Sequence, residues 1–216
     1  MKYHYFTCDV FTDKRFSGNQ LAVLPHADGL SDGEMQTIAR EFNFSESAFV
    51  FPPEKGHTRK VRIFTPTTEV PFAGHPNIGT ACVLAETGEL GGKDVPVSIC
   101  FEEKAGLVPI RLLQNPNGPR QFELEAPETL TARPFKRVST IADALSLNLN
   151  QIIKKHHPPS SASVGLPFLI VEVQDTSALA DIQVNLESFS ALLKQGSPPY
   201  IFVYTQNTGQ ADIQAR

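Results

Sequence analysis

The chain has no tryptophan, two methionines and three cysteines in 216 residues. Cys8, Cys82 and Cys100 are an odd number at wide separations, which excludes a disulfide framework and a CxxC metal site. They read as reduced thiols acting as small buried hydrophobes, and Cys8 alternates with Phe6 and Val10 along one face of a first strand. No apolar run approaches the roughly 20 residues of a membrane helix. Met1-Lys2-Tyr3-His4-Tyr5 turns at once to polar alternation, unlike a signal-peptide core. No membrane partner is expected, and the default location is cytoplasmic. Positive charge is also scarce: 19 Lys and Arg against 23 Asp and Glu leave a formal net charge of -4. Without a clustered basic run, a nucleic-acid partner is not expected. Gly74 and Gly79 have the outer spacing of a phosphate loop, but Thr80-Ala81 follows where Lys-Ser/Thr is required. There is no Gly-x-Ser-x-Gly elbow for a serine hydrolase. His156-His157 adjoins Pro158-Pro159 with no carboxylate or cysteine at ligand spacing, so a loop and no metal site is expected there.

What is present is an ordinary globular composition, 41% hydrophobic and 19% charged, long enough for one large domain or two lobes. Lys2 to Val10 alternates as a strand, Ser17-Gly18-Asn19 supplies a turn, and Leu21 to Leu24 returns. Ser31-Asp32-Gly33-Glu34 is a capping-box pattern, and Met35, Ile38, Ala39 and Phe42 continue it as a helix. Strands are expected at Ser47 to Phe51 and Lys60 to Phe64. From His75 to about Leu90 the residues are small or apolar around nearly the whole circumference, which predicts a buried central helix with Pro76 in its first turn and Gly88 at its end. Val95 to Phe101, Ala105 to Leu113 and Gln121 to Glu125 alternate as strands. A helix enclosed by antiparallel strands follows for residues 1–127.

Around Ala126 to Pro134 the pattern lapses into a linker, and a second lobe, residues 128–216, begins there. Its helices are expected near Ser139 to Leu147 and Leu186 to Leu193, and its strands near Pro167 to Val173 and Tyr200 to Thr205. No close sequence repeat is evident. Gln210 to Arg216 reads as a strand that stops mid-element, and nothing after Ser163 matches the apolar helix that follows His75, so the second lobe is expected to be incomplete.

Two groups of residues could carry chemistry. In Pro71-Phe72-Ala73-Gly74-His75-Pro76 a glycine and a histidine open the buried helix, where unpaired N–H groups and positive partial charge can dock a carboxylate. The alternative is that Gly74 makes a turn and His75 is a capped end. Glu46 shares a strand face with Phe44, Ala48 and Val50, which aims it inward, where desolvation favours the protonated form and suits a general acid/base. The alternative is a solvated strand-end glutamate. For Asn19 a turn role is sufficient explanation.

Taken in order, Asp9-Val10-Phe11-Thr12 with Phe16-Ser17-Gly18-Asn19, Ser45-Glu46-Ser47-Ala48-Phe49, and Phe64-Thr65-Pro66 through Glu69-Val70-Pro71-Phe72-Ala73-Gly74-His75-Pro76 resemble the PhzF-like family of phenazine-biosynthesis-type isomerases. The resemblance is strongest over about residues 3 to 90. It implies the diaminopimelate-epimerase-like α+β fold: two lobes, each an antiparallel sheet around a central helix, with a cleft between them, in a homodimer. It also implies a small-molecule carboxylate substrate of dihydro-hydroxyanthranilate type, isomerised without cofactor or metal. The family's catalytic glutamate falls on Glu46, and its Gly-His pair on Gly74 and His75. Ser45 and Asn19 would line the cleft. The family's later Glu-Asp-Pro-Ala-Thr-Gly-Ser-type loop has no counterpart before Arg216, although Asp212 to Arg216 resembles the strand leading into it.

Overall fold

Ser31 starts the first helix as a reciprocal cap. Its backbone N–H donates to Glu34 Oε2 at 2.8 Å, and Glu34 N–H donates back to Ser31 Oγ at 3.3 Å. The computed structural model that shows this describes residues 2–91, 96–113, 120–209 and 211–216. It divides into two units, Met1–Glu128 and Thr129–Arg216.

The first unit runs β1 (Phe6–Val10), β2 (Asn19–Leu24), α1 (Asp32–Phe42), β3 (Glu46–Phe51), β4 (Arg59–Phe64), β5 (Glu69–Val70), α2 (Gly74–Glu86), β6 (Ser98–Glu103), β7 (Gly106–Leu113) and β8 (Gln121–Leu124). Its sheet has the order β1-β2-β3-β4-β6-β7-β8, with β5 beside β4. Most pairs are antiparallel. β2–β3 and β4–β6 are parallel, because α1 and α2 are crossovers that return the chain to run in the same direction. The strand expected from Val95 begins at Ser98; Val95 itself lies outside the described residues.

The two faces of this sheet bury different helices. Met35 and Ala39 of α1 pack with Leu24, Phe49 and Phe64. The opposite face holds α2, which touches β1, β2, β3 and β8 and buries nine of its thirteen residues. That is close to the burial its composition predicts, apart from one stripe of Gly74, Ile78, Cys82 and Glu86, which recur every fourth residue and are less buried. α2 ends at Glu86, earlier than expected: Thr87 Oγ1 donates to the Val83 carbonyl at 2.8 Å and Gly88 turns to φ 83°. Gly79 makes the closest approach, since a Cβ there would lie 2.6 Å from Leu21 Cδ2 and 2.7 Å from Val10 Cγ2.

The second unit runs β9 (Thr131–Pro134), α3 (Val138–Leu145), a 3-10 turn (Leu149–Gln151), β10 (Ser160–Ser163), β11 (Pro167–Glu172), α4 (Thr176–Asp181), α5 (Leu186–Lys194), β12 (Tyr200–Thr205) and β13 (Gln214–Ala215). Its sheet order is β13-β12-β11-β10-β9. Leu169, Val171 and Val203 form a core with Ile141 and Leu145 of α3 and Leu192 of α5. Amphipathic helices cover that face of the sheet, in place of an apolar helix like α2. Two details differ from expectation. The end of the presumed linker pairs with β10 as strand β9, and its four exposed residues carry no period-2 signal. In the run Gln210 to Arg216, β13 covers two residues, and Gln210 lies outside the described residues.

A repeat invisible in the residues is present in the topology. In the first unit β1 pairs antiparallel with β2, the chain crosses through α1, β3 lies parallel to β2, and β4 returns antiparallel. In the second, β10 and β11 pair antiparallel, α4 and α5 make the crossover, β12 lies parallel to β11, and β13 returns antiparallel.

Candidate active site

Three chain ends meet on the α2 side of the first sheet: the start of β2, the start of β3 and the start of α2. The parallel register sets Glu46 opposite Leu21, and Leu21 is the side chain that Gly79 of α2 approaches. Glu46 therefore stands on the α2 face, as its alternation with Ala48 and Val50 predicts. Its carboxylate Oε2 lies 3.5 Å from Nε2 of His75, with the glutamate side chain 19% exposed and the histidine 8%. Just upstream, Ser45 Oγ, one residue before Glu46, donates to Oδ1 of Asn19, the first residue of β2, at 3.0 Å. All of Asn19, Ser45, Glu46 and His75 are thus drawn to one place, with Gly74 next to His75 as the first helical residue.

No side chain caps this helix end: its N-cap is Ala73, which supplies no side-chain hydrogen bond, while Pro76, lacking an N–H, adds no donor of its own. The Gly74 and His75 amides are the free donors of this first turn, at the positive end of the helix dipole. A Cβ at Gly74 would meet no heavy atom within 4 Å, and its φ is not among the positive ones. Neither packing nor backbone geometry in this chain requires glycine there.

Burial holds the His75 pKa below its ordinary 6.5, against smaller opposing pulls from the Glu46 carboxylate and the Gln20 backbone. The imidazole is accordingly neutral at neutral pH. For stability, the unfolded chain takes up this proton near pH 6.5 while the folded chain does not, so the contribution is fully present above pH 6.5 and lost as pH falls below it. Thermal melting from pH 7 to pH 5 is expected to fall less steeply in His75→Gln than in the parent. An equal slope in the two would contradict a neutral buried imidazole.

Sequence reading passed over several buried acids. Glu102 is 5% exposed and accepts hydrogen bonds from the backbone N–H groups of Glu54, Lys55 and His57, at 2.7, 2.7 and 3.2 Å. Glu103 beside it has both carboxyl oxygens buried. The usable signal was period two, since Ile99, Phe101 and Glu103 share a face and the first two are core. In the second unit, His156 is no free loop residue: its Nδ1 lies 2.6 Å from Oε1 of Glu172, which is 1% exposed. His157 Nε2 lies 2.8 Å from the Tyr204 hydroxyl. Among the described residues no cluster of three metal-ligating side chains forms, and no helix is long and apolar enough to cross a membrane. The three cysteines are free.

Fold and relatives together set the class: an α+β chain of two units among proteins named isomerases. It belongs to the family of phenazine biosynthesis-like proteins, PhzC-PhzF, which it matches over residues 8–216. An uncharacterized isomerase of Mesorhizobium japonicum is 36% identical over 211 residues, 92% of this chain and 67% of that protein. The trans-2,3-dihydro-3-hydroxyanthranilate isomerase of Pseudomonas aeruginosa is 43% identical over 111 residues, 51% of this chain and 37% of that enzyme. A PhzF-family crystal structure from Bacillus anthracis superposes with a TM-score of 0.84 at 30% identity, over 100% of this chain and 72% of that one. The chain thus spans about two thirds to three quarters of these relatives where the match is longest.

Proposed function

We propose that the Glu46–His75 site moves a proton on a small cyclic or amino-acid-like carboxylate, with dihydro-hydroxyanthranilate-type isomerisation as the model. The observation that carries this reading is the half-buried Glu46 carboxylate 3.5 Å from a neutral imidazole at an uncapped helix N-terminus. The substrate carboxylate docks on the Gly74 and His75 amides, where the N–H groups and helix dipole favour an anion. Glu46 takes a proton from one carbon, the electron pair shifts through the adjacent double bond, and the same carboxylic acid returns the proton to another carbon. His75 orients the substrate. Ser45 and Asn19, joined to each other, line the approach.

The sister chemistry, amino-acid epimerisation by two opposed thiols, places a cysteine before the glycine that opens the helix; here Ala73 stands there. Burial pushes the Cys8 thiol up to about 12 and raises Cys82 and Cys100 as well, so none is a ready thiolate at neutral pH. The test is a screen of cyclic hydroxy-amino acids for product formation and solvent-deuterium uptake. Turnover that survives a thiol-alkylating reagent is expected. Deuterium exchange at the α-carbon of free amino acids, abolished by that reagent, would overturn the reading.

A further inference from the structure

The turn between β6 and β7 grips the segment that carries His75 through three consecutive residues. Lys104 Nζ pairs with Glu69 Oε2 at 3.1 Å, Ala105 N–H donates to the Pro71 carbonyl at 3.0 Å, and the Glu103 carboxyl lies beside the Asn77 amide. Residues 69–77 are thus held at their start, middle and end, with Gly74 and His75 inside. The third grip differs in kind. Neither Glu103 oxygen reaches solvent, and its contact with the Asn77 amide is close enough to act on the carboxyl but falls short of a well-formed hydrogen bond. Asn77 is wholly buried, and its Nδ2 is turned to the Ala73 carbonyl at 3.0 Å.

An ionised carboxylate in this position would need a cation or several N–H donors to offset its lost hydration. The nearby charges are committed elsewhere. Arg62 holds Asp32 and Glu69, and Lys60 holds Glu54. Lys55 lines a cavity together with Glu102 and Glu103 without pairing with Glu103, while Glu102 is engaged by the 54–57 backbone. α2 itself carries His75, which faces Glu46, the Cys82 thiol, and Glu86, which pairs with Arg120. Burial accordingly pushes the Glu103 carboxyl up to about 8, against a smaller pull from Asn77.

We propose that Glu103 is a positioning residue: held as a neutral acid against Asn77, it fixes the first turn of α2 and with it the contact between His75 and Glu46. Its effect on turnover rests on the function proposed above; its protonation and its hold on α2 do not. A carboxyl raised from 4.5 to about 8 gives stability that is full below pH 4.5 and lost as pH rises through about 8. Above that, the proton leaves to solvent and an unpaired charge remains under the helix start.

The experiment is amide hydrogen exchange at Asn77 and Ile78 in the whole chain from pH 6 to pH 9, corrected for base catalysis, for the parent, Glu103→Gln and Glu103→Ala. Parent protection is expected to fall about tenfold across pH 8, Glu103→Gln to stay level, and Glu103→Ala to be weak throughout. The same alkaline loss in Glu103→Gln as in the parent would overturn the proposal. Should that variant not fold, carboxyl-carbon NMR of the parent decides: a Glu103 midpoint near 8 supports the proposal and one below 6 ends it. These readouts need no substrate. A parent inactive on every compound, with the exchange pattern as expected, would sink the isomerase reading and leave the positioning role. An inactive Glu46→Gln beside an unaltered Glu103→Gln profile would do the reverse.

Discussion

Glu46→Gln is expected to lower the rate of proton transfer by about 10²- to 10⁴-fold, the span that positioned general acid–base groups supply. The amide keeps the shape of the carboxylate but cannot accept and return the proton. The fold should be indifferent. Glu46 is the first residue of β3 and pairs through the backbone with Leu21, and its side chain approaches a neutral imidazole at 3.5 Å, with no ion pair to lose. The variant also carries an internal check: the Glu46 charge is one of the two pulls that raise the His75 pKa, so the imidazole should titrate lower still in Glu46→Gln. Rates would be measured by product formation or solvent-deuterium incorporation, and the imidazole by proton NMR. Parent-like turnover in the variant would remove Glu46 from the mechanism.

Periodicity placed these side chains, while reading them as one candidate site came from the family resemblance. Glu46 was readable because Ala48 and Val50 fix which face it occupies, and His75 because the residues that follow are small or apolar around nearly the whole circumference. The bond between Ser45 and Asn19 was not, because the parallel β2–β3 pairing that makes it joins residues 26 apart, and nothing local encodes that register. β10 is a run of Ser and Ala with no apolar alternation, and α4 has six residues, too few for a helical period to emerge. Glu103 was passed over for a different reason: as the last residue of β6 before a polar turn it resembles a solvated strand end, and its neighbour Asn77 arrives from a helix 26 positions earlier. The topological repeat escaped for the same cause. Hydrogen-bonding direction is shared between the units, while residue identity is not.

The two glycines of α2 separate what the fold requires from what the chemistry requires. Gly79→Val would set a Cβ 2.6 Å from Leu21 Cδ2 and 2.7 Å from Val10 Cγ2, and those side chains are 0% and 4% exposed, so neither can swing outward. Overpacking of this kind costs about 3 kcal/mol, which in a chain of this size lowers the melting temperature by roughly 10 °C. Because Leu21 is register partner to Glu46, lifting α2 from the sheet also parts His75 from the carboxylate, and activity should fall with stability. Gly74→Ala meets nothing within 4 Å and needs no positive φ, so its melting temperature should stay within about 2 °C of the parent, as a helix-start alanine is no worse than glycine. Its methyl group would instead fill open space next to the Gly74 amide. Loss of that docking is worth about tenfold in affinity for a carboxylate, the upper range of a helix-terminus contact. Calorimetric melting beside titration with a turned-over carboxylate would read both effects. A Gly74→Ala protein destabilised as strongly as Gly79→Val would make that glycine structural and end the case for an anion dock at the start of α2.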